Sequence, residues 1–373
     1  MSKSKTRKIT GQEVKTFKDL ADEIIKQNKC CACGSCVAYC ESQSFNVITM
    51  ENHFPRFKSE ETIDNCKECG ICYYICPQTP PILELIEQSH EIQDKLGKIL
   101  SIQALKTTKK ELEDVRQDGG IVSTILEYLF DKSEIDAAIV SEYDEQLQTI
   151  PKIIFNKDEL VKAAGTRYSI SSQVLPLKDL YQLTPDFLWE KGIVEIDQLR
   201  IAFVGTPCQV RAIAKMKQLS IKPAHLIKLV ISLFCFENFN HDELYEILTK
   251  ETNVKPTEIK KTWIKKNFFI KDNKGNKHEV DIKKLDPAVR EHCLSCDDFT
   301  GKFSDISVGA SGAPEGFSMV VVRNEKGQKV INGLIKDGYA KPYSVPLDQI
   351  NEWKIKKINR LNKMISLKIK KNK

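Results

Sequence analysis

No run of about eighteen apolar residues occurs in this 373-residue chain. Its most apolar stretch, Leu226 to Phe236, is short and carries Lys228, so no membrane-spanning helix is expected. The start, Met1 to Lys8, is basic and polar with no apolar segment behind it, which predicts no secretory signal and a cytoplasmic protein. No G-x-G-x-x-G follows a strand-like run, which argues against a Rossmann dinucleotide site. No stripe of basic residues is interleaved with aromatics, which argues against nucleic-acid binding. Nor is the composition extreme. With 41% hydrophobic and 29% charged residues, the chain is not disordered, collagen-like or disulfide-stapled, and it is long enough for two or three domains with a core.

The formal charge of +6 is local. Lys354 to Lys373 holds nine basic residues and no acid, leaving 48 basic against 51 acidic residues elsewhere. Residues 347–373 therefore read as a basic C-terminal tail, either a solvated element or a docking arm for an acidic partner.

Thirteen cysteines are the informative count. In a reducing compartment they point to metal ligation rather than disulfides. Cys30, Cys33, Cys36 and Cys40 form C-x2-C-x2-C-x3-C, and Cys66, Cys69, Cys72 and Cys76 repeat it, followed by Pro77. Three thiolates at i, i+3 and i+6 on a tight loop can hold three corners of a cubane, with backbone amides aimed at its sulfides. In two-cluster ferredoxins the fourth cysteine of each run serves the other cluster, which assigns Cys30, Cys33, Cys36 and Cys76 to one site and Cys66, Cys69, Cys72 and Cys40 to the other. Zinc is the competing reading, although its motifs commonly supply two separated pairs. Glu41 stands where the second run has Pro77, and Cys31 is a spare thiol read as a spectator. Phe45, Val47 and Ile48 predict a hairpin between the runs.

From about residue 99 strand-like and helical patterns alternate, as expected of a mixed α/β unit reaching about 346. Gln117, Asp118, Gly119 and Gly120 precede a helical stretch from Ile121, and paired glycines at a helix start let amides approach a phosphate or a ring; a plain loop is the alternative. A strand over Arg200 to Val204 runs through Gly205, Thr206 and Pro207 into a helix that carries Cys208 near its N-terminus, where a thiolate is favoured. A second strand ends at Cys235. With the pair Cys293 and Cys296 these form a dispersed quartet, read as a third iron–sulfur site, a structural zinc, or two small buried hydrophobes beside an incidental pair. His292 is expected at the surface, and Lys271 to Lys277 is read as a hairpin turn.

Six motifs then stand in a familiar order: Gln117 to Gly120, Gly165 to Tyr168, Gly205 to Gln209, Leu233 to Cys235, Cys293 to Cys296 with Asp297 to Thr300, and Asp305 to Gly309 with Gly312 to Gly316. Over residues 24 to 345 the chain resembles the coenzyme F420 hydrogenase/dehydrogenase beta-subunit family, and its front extension resembles the F420H2 dehydrogenase input subunits. The resemblance implies an α+β protein: an N-terminal tail or helix over 1–23, a two-cluster [4Fe-4S] ferredoxin-like domain over 24–98, and a mixed α/β, non-Rossmann FAD- and F420-binding domain over 99–346. It implies FAD, a [4Fe-4S] cluster on Cys208, Cys235, Cys293 and Cys296, and coenzyme F420 as hydride carrier. Gln117, Asp118, Gly119, Gly120, Gly165, Thr166, Arg167, Tyr168 and Thr206 become the expected FAD contacts, with Arg167 available to a phosphate.

The activity implied is hydride transfer between reduced F420 and FAD, then single-electron transfer through the clusters to a protein acceptor in a larger reductase or membrane complex, to which the cytoplasmic chain would be peripheral. No catalytic acid is required. Lys265, Lys266 and Arg323 are candidates for a basic groove around the F420 tail. The alternatives are a ferredoxin-linked flavoprotein reductase of another substrate, and a non-catalytic iron–sulfur adaptor.

Overall fold

The computed structural model describes residues 8, 9 and 12–372. Of the expected N-terminal segment, residues 1–7, 10 and 11 lie outside the described residues. Within it the short helix Phe17–Leu20, opened by a Thr16/Asp19 capping box, buries Phe17 and Leu20.

The centre is an eight-stranded mixed sheet. From one edge its order is Ala340–Pro342, Ser101–Thr107, Ser318–Val322, Ile306–Gly309, Ile227–Leu233, Ile201–Gly205, Ala137–Tyr143 and Thr149–Ile154. The four strands from Ile306–Gly309 to Ala137–Tyr143 run parallel, and the remaining pairs are antiparallel. Both faces are covered, so the strands read as apolar runs whose alternate residues serve opposite cores. Ala138, Val140, Ala202 and Val320 pack under the helices Ile121–Asp131 and Glu325–Lys336. Ala137, Ile139, Ile201 and Phe203 face the helix Pro207–Gln218 together with Ala38, Ile75 and Ile86 of the front unit. A separate antiparallel sheet, Ile259–Ile264, Phe268–Asp272 and Lys277–Val280, packs with the helix His241–Thr252. The expected turn over Lys271 to Lys277 lies in this sheet, and the expected front hairpin pairs Ile48–Glu51 with Phe54–Phe57.

The C-terminal segment corrects its sequence reading. Ile350–Lys371 is one helix rather than a solvated tail. Leu361 and Ile365 pack with Leu96, Ile102, Ala104, Phe299, Met319 and Val321, closing the rest of that sheet face. Among the described residues no helix is long and apolar enough to cross a membrane.

Candidate functional site

The two front loops are built alike. Ala32 and Glu68 have φ of 53° and 48°, and Gly34 and Gly70 have 85° and 74°. These left-handed positions recur at equal offsets from Cys30 and Cys66 and coil each loop back on itself. A Cβ at Gly70 would lie 2.5 Å from Val14 Cγ1, and one at Gly34 would lie 2.9 Å from Leu175 Cβ, so glycine is required by space as well as by φ. Helices Ser35–Ser42 and Ile71–Tyr74 follow directly. Cys36 and Cys40 stand one helical turn apart, whereas Cys72 lies in the second helix and Cys76 two residues beyond its end, with Cys33 and Cys30 among its charged neighbours.

The front thiols fall into two neighbourhoods. Burial raises the thiol pKa of Cys36, whose nearest charged neighbours are Cys33, Cys30 and Cys76, with Cys72 beyond. Burial likewise raises Cys72, whose neighbours are Cys69, Cys66 and Cys40. Burial pushes Cys30 up to about 11. Several thiols confined in one low-dielectric space are the donor set of a metal centre, because a bound cation removes the cost of ionising them together.

The dispersed quartet is assembled by the central sheet. Ile201–Gly205 and Ile227–Leu233 are adjacent parallel strands, with Gly205 beside Ser232, so both deliver a cysteine at their carboxyl ends. Cys208 follows Thr206 and Pro207 in the first turn of the helix Pro207–Gln218, whose capping box joins Thr206 and Gln209. The Cys235 amide donates to Phe299 O at 2.9 Å, bringing the 293–299 loop alongside. The Asn238 amide donates to Cys293 Sγ at 3.3 Å. Cys208, Cys235, Cys293 and Cys296 line one cleft with Ile170, Ser171 and Lys368. Burial raises Cys235, next to Cys293, Cys208 and Cys296, and pushes Cys293 up to about 12.

Cys31 and His292 depart from their expected roles. Donor atoms of Cys31, Cys208 and His292 all lie within 4.8 Å of one another. His292 is buried rather than superficial, and its Nδ1 has no partner. The Cys31 thiol interacts with both Cys208 and Cys33, holding Cys208 down and being raised itself. It stands where the dispersed quartet meets the first front group.

Cations stand beside the first front group and the dispersed quartet. Lys215, buried and pushed down to about 8 by desolvation, donates to Cys76 O at 2.7 Å and Thr79 O at 2.5 Å. Arg290 donates to Cys30 O at 3.0 Å. Lys368, only 2% exposed, donates to Cys235 O at 2.8 Å and Asp298 O at 2.9 Å. Burial lowers its pKa, but Cys296, Cys235 and Cys293 outweigh that and raise it. No local motif announces these cations, because they are drawn from elements far apart in the chain.

The expected flavin residues form a second locus. The loop before Ile121 and the segment Gly165 to Tyr168 adjoin, with Val115 O 3.4 Å from where a Gly165 Cβ would stand. Lys265 and Lys261 are the leading charged neighbours of Asp118, whose pKa burial raises. Gln117 Oε1 is buried without a hydrogen-bond partner, as a ligand-facing group would be. Gly119 is held by Ser318 Oγ at 3.0 Å, and the Tyr168 hydroxyl accepts from the Ile264 amide at 3.0 Å. Thr166 is half-buried between them. Thr206 belongs to the cysteine cleft, its Oγ1 3.3 Å from Cys208 Sγ. Arg167 spends its terminal nitrogens on the carbonyls of Lys162, Ala163, Ala164 and Gly165, which leaves Nε partnerless. Arg323 is not in a basic groove: it is buried and bonded to Ser307, Leu96, Lys98 and Thr300. Lys265 pairs with Glu315 at 3.0 Å, and Lys266 is exposed.

Residues 102–178 match the N-terminal part of the coenzyme F420 hydrogenase/dehydrogenase beta subunit, and residues 198–346 match its C-terminal part. The chain belongs to this family. It is 28% identical over 367 residues to the coenzyme F420-dependent sulfite reductase of Methanocaldococcus jannaschii, covering 92% of this chain but only 51% of that one. With one of the subunits of the F(420)H(2) dehydrogenase of Methanosarcina mazei it shares 28% identity over 323 residues, 84% of each chain. A solved chain of the F420-reducing [NiFe] hydrogenase complex from Methanosarcina barkeri superposes with a TM-score of 0.65 at 27% identity, covering 75% of this chain and 92% of that one. Both family matches begin beyond residue 98, so the front unit lies outside them.

Proposed function

We propose that this family member is the F420-oxidising input subunit of a larger redox assembly, holding FAD at the Gln117 and Tyr168 locus and three [4Fe-4S] clusters on its cysteine quartets. When bound, FAD would take a hydride from reduced F420 and pass its two electrons on singly, as a cubane relay requires, with both protons of the donor released to solvent. The cysteines would ligate the clusters, while Lys215 and Arg290 would offset the charge of the first front cluster and Lys368 that of the dispersed one. Gln117, Asp118 and the half-buried Tyr168 would position the ring system and keep water from it.

The observation that carries this reading is the order of the sites. The Phe239 amide donates to Tyr168 O at 3.0 Å, and its neighbour Asn238 contacts Cys293, so the flavin locus adjoins the dispersed quartet. Cys31 joins Cys208 to Cys33, and Cys36 has Cys72 among its charged neighbours. The line leads from a two-electron site through three thiol groups towards the front of the molecule. The relatives that are themselves subunits, and the hydrogenase complex, support membership of a larger assembly.

Protein purified without oxygen should carry about one flavin and about twelve irons, as three cubanes require. Mixing with reduced F420 should bleach the flavin. Bound flavin that stays oxidised would exclude F420 as donor, and iron without flavin would favour an electron adaptor.

A further inference from the structure

Lys368 is a buried ammonium that donates to two neutral carbonyls, Cys235 O and Asp298 O, with the Cys296 side chain as a further partner. An ammonium removed from water requires a compensating anion. Its neighbours in the last turn do not provide one: Lys371 pairs with Glu237 at 2.7 Å and Asp286 at 2.8 Å, and Asn372 donates to Cys296 O at 2.7 Å. What faces Lys368 is the cleft of Cys235, Cys293, Cys296 and Cys208. The last turn thus grips the backbone of two of these cysteines and brings one fixed positive charge to all four.

We infer that the C-terminal helix is a charge-bearing strap over the dispersed quartet, with Lys368 a positioning residue that raises the reduction potential of the cluster held there. The inference rests on the proposed [4Fe-4S] assignment. A cubane with four thiolates is an anion that gains a further negative charge on reduction, so a fixed cation favours the reduced form. Removing it must lower the potential. The cluster in turn supplies the anion that Lys368 lacks, so filling the site should hold the strap down.

The test uses the full chain with its clusters loaded, by redox titration followed by electron paramagnetic resonance, with the Cys208→Ser variant identifying the dispersed-cluster signal. At the wild-type midpoint, Lys368→Met should lower the ratio of reduced to oxidised dispersed cluster about tenfold, a fall of about 59 mV for a one-electron couple. Lys368→Arg should restore it. Stripping the clusters from the wild type should speed amide exchange across Leu361 to Lys371 about tenfold while leaving Glu325 to Lys336 unchanged, the differential protection expected of a local opening. An unmoved potential in loaded Lys368→Met, or a strap equally protected with and without clusters, overturns the inference and leaves the cluster assignment standing. Absence of the dispersed signal from the wild type overturns both. Should Lys368→Met fail to load, Lys368→Arg decides: a loaded arginine variant supports the charge role, and loss in both variants overturns it.

Discussion

Cys208 sits where a strand hands over to a helix, beside Cys31 and His292, and its first-turn position favours the thiolate. Exchanging its sulfur for oxygen should remove one cubane: Cys208→Ser, like Cys235→Ser or Cys293→Ser, is expected to lose about four of about twelve irons by colorimetric assay. Cys31→Ser should keep the full complement, because its contacts are with ligand sulfurs and all twelve other cysteines already fall into quartets. The two front runs stood out because their spacing is local. His292 did not: neighbouring residues commonly point apart, yet here the turn at Glu291–Ser295 buries both His292 and Cys293. Arg323 misled in the opposite sense. A guanidinium suits a phosphate, but it equally suits a fan of backbone carbonyls, and only the fold tells which is in reach.

Elements carry signals of their own. In the turn joining Phe268–Asp272 to Lys277–Val280, the Asp272 carboxylate is held down to about 2, chiefly by His278, with further hydrogen bonds from Asn276 and Lys274. A carboxyl depressed on folding stabilises fully above its unfolded value and loses that contribution as pH falls through its folded one. Protection of the Asn276 amide, measured against the unfolded chain at the same pH, should therefore be high at neutral pH and fall between about pH 4 and pH 2, whereas Asp272→Asn should be poorly protected throughout. In the second front loop, Gly70→Ala combines a left-handed φ with a collision against Val14 and should cost more than about 1 kcal/mol in thermal unfolding. The C-terminal helix could have been found from Ile358, Leu361, Ile365 and Ile369, an apolar stripe at helical period. The density of lysine concealed it, and no local pattern marks Lys368 as the lysine that turns inward.

At the scale of the molecule the front unit and the sheet unit share a core. Ala38, Ile75 and Ile86 pack with Leu177, Phe203 and Ile213, and the Val174 amide donates to Cys33 O at 2.9 Å. Lys178 reaches Glu41 at 2.9 Å. A chain begun at residue 99 should uncover this apolar surface, at about 1.5–3 kcal/mol for each large side chain exposed, and should elute as aggregates in size-exclusion chromatography. The cysteine runs and the change of pattern near residue 99 led to the expectation of two parts. The intimacy of the joint was not readable, because it depends on residues separated by more than a hundred positions.

The strap also orders the birth of the protein. Both front runs have left the ribosome once Cys76 is free, whereas the dispersed group waits for Cys296 and then for Lys368, more than two hundred residues later. Loading during synthesis would serve the first two proposed sites first, while the third, nearest the proposed flavin locus, would be closed later. A nascent polypeptide would thus hold the outer portion of its electron path before it can admit an electron at the inner end.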